Sequence, residues 1–139
     1  GVIVPSLREK KLADDFTGTY EVVKSFIIKN KIKKKFICCI YPTAPLMRSL
    51  DLVKGFNTLL QNKNSYVYSA NILKKKNKKI LTDSGQFYWS TISSWKNNKN
   101  ILQKSSIKIK IPNKYSQDLN NYEDLRILKN KKRKILNHD

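Results

Sequence analysis

Histidine is nearly missing from this sequence, and its scarcity removes a whole class of chemistry. The one histidine among 139 residues, His138, lies in a polar tail, so a Ser-His or Cys-His catalytic pair has no base. Cysteine is almost as rare, with Cys38 and Cys39 adjacent. Neighbouring side chains of a strand point to opposite faces, so this pair cannot chelate one metal, and a disulfide between them would be strained. Buried, reduced thiols are the expectation, and they suit the cytoplasm. With only four glycines, the chain shows no Gly-rich loop of the kind that cradles phosphates. No apolar run is long enough to span a bilayer, and no signal-peptide pattern is visible.

Acidic residues are also few, ten against 29 basic ones, which leaves a formal net charge of +19. Such an excess raises the possibility of phosphate-backbone binding. Only Arg8, Arg48, Arg126 and Arg133 are arginines, whereas recognition of bases and phosphates favours the guanidinium fork. The lysines are spread among asparagines and isoleucines, the pattern of a solvated surface.

The most informative segment is FICCIYPTAPLM, residues 36–47. Phe36 to Ile40 is apolar without alternation, the habit of a central strand buried on both faces. Pro42 and Pro45 forbid both a continuing ladder and an immediate helix. Ser49 is then placed to cap an amphipathic helix, SLDLVKGFNTLLQN. Strand, rigid turn and helix in that order put the turn at a strand's carboxyl end, where open α/β sheets bind ligands.

Elsewhere, residues 2–19 read as an extended lead-in and loop, and TYEVVKSFIIKNK as an amphipathic helix. SYVYSAN and GQFYWSTI read as strands, with Phe87 and Trp89 facing opposite to Tyr88. ILKKKNKKILT, residues 72–82, has no core pattern and reads as a loop or crossing. SIKIKIP alternates as a half-buried strand, and Asn121 should cap a helix whose first turn carries Glu123 and Asp124. Residues 129–139 form a basic tail. The chain reads as one domain, residues 1–139.

Four phrases, LREKKLADDFTGT, FICCIYPTAPLM, DSGQFYW and SQDLNNYEDL, occur in the order and approximate context of the acylneuraminate cytidylyltransferase family, the CMP-sialic acid synthetases. Within that family the chain most resembles the pseudaminic acid cytidylyltransferases. The resemblance implies a three-layer, Rossmann-like α/β nucleotidyltransferase fold with a mainly parallel sheet. It also implies transfer of CMP from CTP to a nine-carbon acidic sugar with release of pyrophosphate, aided by Mg²⁺. A homodimer and a cytoplasmic location are implied as well.

Carried over by resemblance, the nucleotide site comprises Arg8, Asp15, Thr19, Pro42 and Thr43. The sugar site comprises Tyr41, Gly85, Gln86 and Tyr88. Asp118 is the catalytic carboxylate and, with Asn120, the metal site. The family has a second carboxylate where this chain has Asn120, an amide without charge, so a weakened Mg²⁺ site is expected. The family also opens with a strand and an Arg/Ser/Lys/Asn loop for which nothing stands ahead of Gly1. It continues after SYVYSAN into a long segment here reduced to residues 72–82. An incomplete domain is therefore expected. The alternative readings are a nucleic-acid-binding module using Lys74 to Lys79 and the basic tail, with Tyr and Trp rings as stacking platforms, or a non-catalytic remnant.

Overall fold

The computed structural model describes residues 3–63, 65–75 and 78–137; His138 and residues 76 and 77 of the basic middle segment lie outside them. In chain order, helix α1 (Thr19–Lys29) leads to strand β1 (Phe36–Ile40) and helix α2 (Ser49–Gln61). Strands β2 (Val67–Lys75) and β3 (Lys78–Thr91) follow, then the short helix α3 (Ile92–Asn97), strand β4 (Ile107–Lys110) and helix α4 (Tyr122–Leu136). The four strands form one sheet in the order β1-β3-β2-β4.

The three-layer α/β architecture is observed. Alternation along the strands sends side chains to two separate cores. On one face, Tyr68, Ala70 and Tyr88 pack with Tyr20 and Ile27 of α1 and Trp95 of α3. On the other, Val67, Phe87 and Ile109 pack with Leu59 of α2. Phe87 and Trp89 do face opposite to Tyr88. Cys38 and Cys39 also divide between the two cores.

Residues 129–136, read as a basic tail, instead continue helix α4, and three expectations about the sheet need correction. The sheet is not mainly parallel: β1, β2 and β4 run in one direction, but β3 lies reversed between β1 and β2, so two of the three ladders are antiparallel. The reversal follows from the second correction. The basic segment 72–82 is neither loop nor crossing but the arms of a β2–β3 hairpin, with Ile72 opposite Leu81 and Leu73 opposite Ile80. A ladder satisfies the backbone groups without needing a core beneath it. Third, Phe36–Ile40 is an edge strand, since β3 pairs with one side of it and no described strand pairs with the other.

The helix ends follow the residues near them. At α4, Asn121 accepts from the Asp124 amide while the Asp124 side chain accepts from the Asn121 amide, a reciprocal capping box. At α2 the cap position is Arg48 rather than Ser49, and it makes no side-chain capping bond. Arg48 instead grips Asp51 through two hydrogen bonds of 2.8 Å. Helix α3 had no counterpart in the sequence reading; Thr91 caps it by accepting from the Ser94 amide at 3.2 Å.

Gly55 of α2 faces the sheet closely. A Cβ there would lie 2.9 Å from Phe87 Cε2 and 3.0 Å from Trp89 Cδ1. Phe87 is fully buried, and the Trp89 indole is tied to the Leu52 carbonyl at 3.1 Å, so neither ring can yield freely. Gly→Ala inside a helix ordinarily stabilises by up to about 1 kcal/mol, but overpacking costs about 1–3 kcal/mol. Gly55→Ala is therefore expected to lower stability by about 1–2 kcal/mol, read as a lower urea midpoint at constant m. A raised midpoint would mean that the helix sits farther from the sheet.

Burial pushes the Cys38 thiol up to about 12, with Cys39 beside it adding to the shift. Burial likewise pushes Cys39 up to about 11, partly offset by Arg8. The unfolded chain loses these protons first, near the ordinary value of 9.0, so folding stability should fall as pH rises from there through 11 to 12. At pH 8 both thiols should resist iodoacetamide in the folded chain and react quickly in urea. Equal rates in the two states would place the thiols at the surface.

Candidate active site

The shared direction of β1, β2 and β4 gathers their carboxyl ends along one rim of the sheet, and reversed β3 enters from that same rim. Residues 41–47 begin there. The Ala44 amide donates to the Tyr41 carbonyl at 3.2 Å, and the Met47 amide donates to the Ala44 carbonyl at 3.1 Å. The turn is docked from both sides: the Tyr41 amide donates to the Gln86 carbonyl at 3.0 Å, and the Leu119 amide donates to the Thr43 carbonyl at 3.0 Å. The second bond sets the segment carrying Asp118 against the turn. A further clamp comes from Arg48, which holds nearly buried Asp51 and lays its guanidinium 4.1 Å from the centre of the Tyr115 ring. The bond to Asp51 raises the Arg48 pKa.

Three adjoining cavities follow the rim. The first, about 200 Å³, is lined by Arg8, Thr17, Thr19, Tyr41 and Pro42. The Thr19 and Tyr41 hydroxyls are hydrogen-bonded to each other. The second, about 310 Å³, shares Thr19 with the first and adds Tyr88 and Asp83. The third, about 570 Å³, shares Asp83 with the second and holds Asn71, Ser84, Gly85, Asp118 and Asn120. The shared walls, Thr19 and Asp83, set the three in series along the rim as a divided groove.

Most of the groove's acidic oxygens are already engaged. Asp83 accepts from the Gly85 amide at 2.9 Å and from the Tyr88 hydroxyl at 2.6 Å. Burial, reinforced by that bond, pushes the Tyr88 phenol well above its ordinary range. Asp124 accepts from the Asn120 and Asn121 amides at 2.9 and 3.1 Å and from Gln117 Nε2 at 3.3 Å. Asp118 differs. Its Oδ2 accepts from Asn120 Nδ2 at 3.2 Å, but its Oδ1 is buried with no hydrogen-bond partner. The Ser84 hydroxyl beside it is buried and unpartnered too. Unmet buried polar atoms mark a place where a ligand, ion or water completes the bonding.

The residues singled out from the sequence are placed unevenly. Arg8, Thr19, Tyr41 and Pro42 come together in the first cavity, Tyr88 lines the second, and Gly85, Asp118 and Asn120 share the third. Thr43 contributes its carbonyl to the tie with Leu119. Asp15 is exposed and lines none of the three cavities; its neighbour Asp14 holds the loop by accepting from the Phe16 and Thr17 amides at 2.9 and 2.6 Å. Gln86 is fully buried and lines none of the three cavities; its Nε2 donates to the Tyr115 carbonyl at 2.8 Å, while its Oε1 has no hydrogen-bond partner. Asn71, Ser84 and Lys131 line the third cavity without having been singled out. They stand at ends of segments that the sequence reading left as strand, phrase and tail, and only the hairpin and the placement of α4 bring them together. Among the described residues no three His, Cys, Asp or Glu side chains are grouped to hold a metal, so a cation at Asp118 and Asn120 would need further oxygen ligands.

No protein-family model matches the chain. Among curated proteins it is similar to the pseudaminic acid cytidylyltransferases of Campylobacter jejuni subsp. jejuni serotypes O:2 and O:23/36. In each case it is 24% identical over 160 aligned residues, which cover 93% of this chain and 68% of the relative. The aligned stretch is longer than the 139-residue chain, so it includes positions that this chain lacks. The chain is a distant relative of these cytidylyltransferases.

Gly85 adopts φ +63°, the left-handed region, beside Asp118. A Cβ would meet nothing closer than Asp118 Oδ2 at 3.8 Å, so space is not the obstacle. Backbone strain of about 1–2 kcal/mol is. Gly85→Ala should lower stability by about that amount in urea unfolding, and Gly85→Asn by less. Equal stability of all three would show that the groove's floor relaxes to an ordinary turn.

Proposed function

We propose, from this distant relationship to pseudaminic acid cytidylyltransferases, that the chain takes part in transfer of CMP from CTP to a nonulosonic acid of the sialic or pseudaminic type, with release of pyrophosphate. One observation carries the reading: of the carboxylates lining the groove, Asp118 has a buried oxygen left without a partner. It does so at the carboxyl ends of the parallel-running strands, where α/β sheets bind ligands.

The reaction joins the anomeric hydroxyl of the sugar to the α-phosphorus of CTP and breaks the bond to the β-phosphate oxygen. Positioning and charge neutralisation do most of the work in such transfers. Arg8, Thr19 and the Tyr41–Pro42 turn present a guanidinium, hydroxyls and a rigid edge to the nucleotide. Gly85 keeps the floor low, and the Tyr88 ring walls the space between nucleotide and sugar.

Asp118 and the Asn120 amide oxygen are oxygen donors suited to Mg²⁺, and the orphaned Oδ1 fits that role. Bound there with phosphate oxygens, the ion would neutralise charge on the triphosphate. For Asn120 to ligate, its amide must turn its oxygen toward the cation instead of donating to Asp118. For a reading built on the basic segments, the Trp95 ring is fully buried and Trp89 packs on Phe56, while Tyr122 at the start of α4 is exposed. Neither tryptophan offers a free stacking face.

The test is CTP-dependent pyrophosphate release with N-acetylneuraminic or pseudaminic acid as acceptor. Asp118→Asn should abolish release. Asn120→Asp adds a ligand charge and should lower the Mg²⁺ concentration for half-maximal rate on the order of tenfold. Release that survives Asp118→Asn, or that never occurs with either acid, would overturn the reading.

A further inference from the structure

Lys131 is the exception among the cations of α4. Arg126, Lys129, Lys132, Arg133 and Lys134 are all exposed, whereas Lys131 is half-buried and turned toward the third cavity. Its Nζ donates to the Ser116 carbonyl at 2.6 Å. Ser116 is itself held by Asn71 Nδ2, which donates to its hydroxyl at 3.0 Å. A lysine ammonium has three N–H donors, and this bond engages one. Asp83, Asp118 and Asp124 line the same cavity, yet no carboxylate among the described residues forms an ion pair with Lys131. Burial lowers its pKa, the response of a cation drawn from water without compensating charge.

We propose that Lys131 binds an oxyanion of the groove's ligand, while Asp118 and Ser84 meet its hydroxyls or a bound cation. The cavity is lined by a Lys131 ammonium that forms no ion pair with a carboxylate of the described residues, and by an unpartnered carboxylate oxygen and hydroxyl from the Asp118 segment and β3. Not paired with one another, these groups match a ligand with an acidic group and hydroxyls on one frame. A carboxylate of an acidic sugar and a phosphoryl group of a nucleotide both supply the oxyanion. The inference rests on the groove being the substrate site of the proposed reaction, and its test separates the two.

The full chain is labelled with ¹³Cε-lysine, and the Lys131 resonance is assigned from the Lys131→Arg variant. Inorganic pyrophosphate and N-acetylneuraminic acid are then titrated separately. One of them should shift the Lys131 resonance saturably in the millimolar range, and which one does so identifies the source of the oxyanion. Lys131→Met should weaken binding of that anion roughly tenfold or more, since a hydrogen bond to a charged group contributes on that scale, and Lys131→Arg should restore most of it. The Lys131→Arg melting temperature should match the parent chain.

The inference is overturned if neither anion moves the resonance, or if Lys131→Met binds like the parent chain. Should Lys131→Met fail to fold, the resonance of the parent chain and the Lys131→Arg affinity still decide. A Lys131 response without any CTP-dependent release would sink the cytidylyl-transfer reading and leave this inference standing. Release that is indifferent to Lys131→Met, with a silent resonance, would do the reverse.

Discussion

Everything in this molecule depends on three consecutive side chains of β3. Phe87 and Trp89 enter one core and Tyr88 the other, so a single strand holds helices to both faces of the sheet. A slip of one residue would exchange the two sets and leave neither α2 nor the α1–α3 pair with a matching surface. Because β3 is reversed between β1 and β2, its first residues lie at the carboxyl ends of the others. The strand that fixes the cores therefore also supplies Asp83, Ser84 and Gly85 to the groove. Fold and site are set by the same register.

The electrostatics of the groove differ from those of the surface. The chain's net charge of +19 is spread mostly over exposed lysines, whereas the groove mixes Glu21, Asp83, Asp118 and Asp124 with Arg8, Lys99 and Lys131, and several carboxylates in it and near it have structural duties. Asp51 holds Arg48, Asp83 holds Tyr88 and Gly85, and Asp124 closes the α4 capping box. Removing Arg48 would strand the buried Asp51 charge, so a carboxylate with such a duty is a poor candidate for chemistry. Asp118 and Lys131, which line the same cavity, are left without such an ion-pair partner among the described residues.

Features written in local sequence were legible. The apolar run at Phe36, the proline-framed turn, the alternation in GQFYW and the Asn121 cap each depend on neighbouring residues, and each appears in the structure. Pairing partners were not. Phe36–Ile40 reads as central and buried because its side chains are apolar on both faces, but apolar faces do not say whether the backbone edges are paired, and at this edge none of the five residues is fully buried. Residues 72–82 look like a loop because lysines hide a ladder whose only requirement is a partner strand. Helix α3 escaped because six residues are too few for periodicity to show, although Thr91 ahead of Ile92 was a usable cap signal. The phrases singled out Asp118, Gly85 and Tyr41, which line the groove. Lys131 looked like one more lysine in a basic tail, and nothing in the sequence signals that Gln86 is buried, with its Nε2 donating to Tyr115 and its Oε1 left without a partner.

The outer edge of β1 has one more consequence. Five neutral residues there have no partner strand among the described residues on that side, and exposed Phe26 shares a cavity with Ile37, Cys38 and Cys39, a template on which another extended chain can add. Just ahead of that strand stand Lys33, Lys34 and Lys35, all exposed. Positive charge at the lip of a sticky edge acts as a gatekeeper, because two such edges meeting head-on must bring their lysines together. That protection is coulombic and shrinks with the screening length, from about 30 Å at 0.01 M salt to about 3 Å at 1 M. The colloidal behaviour of the chain is thus tied to ionic strength through three lysines that never touch the groove.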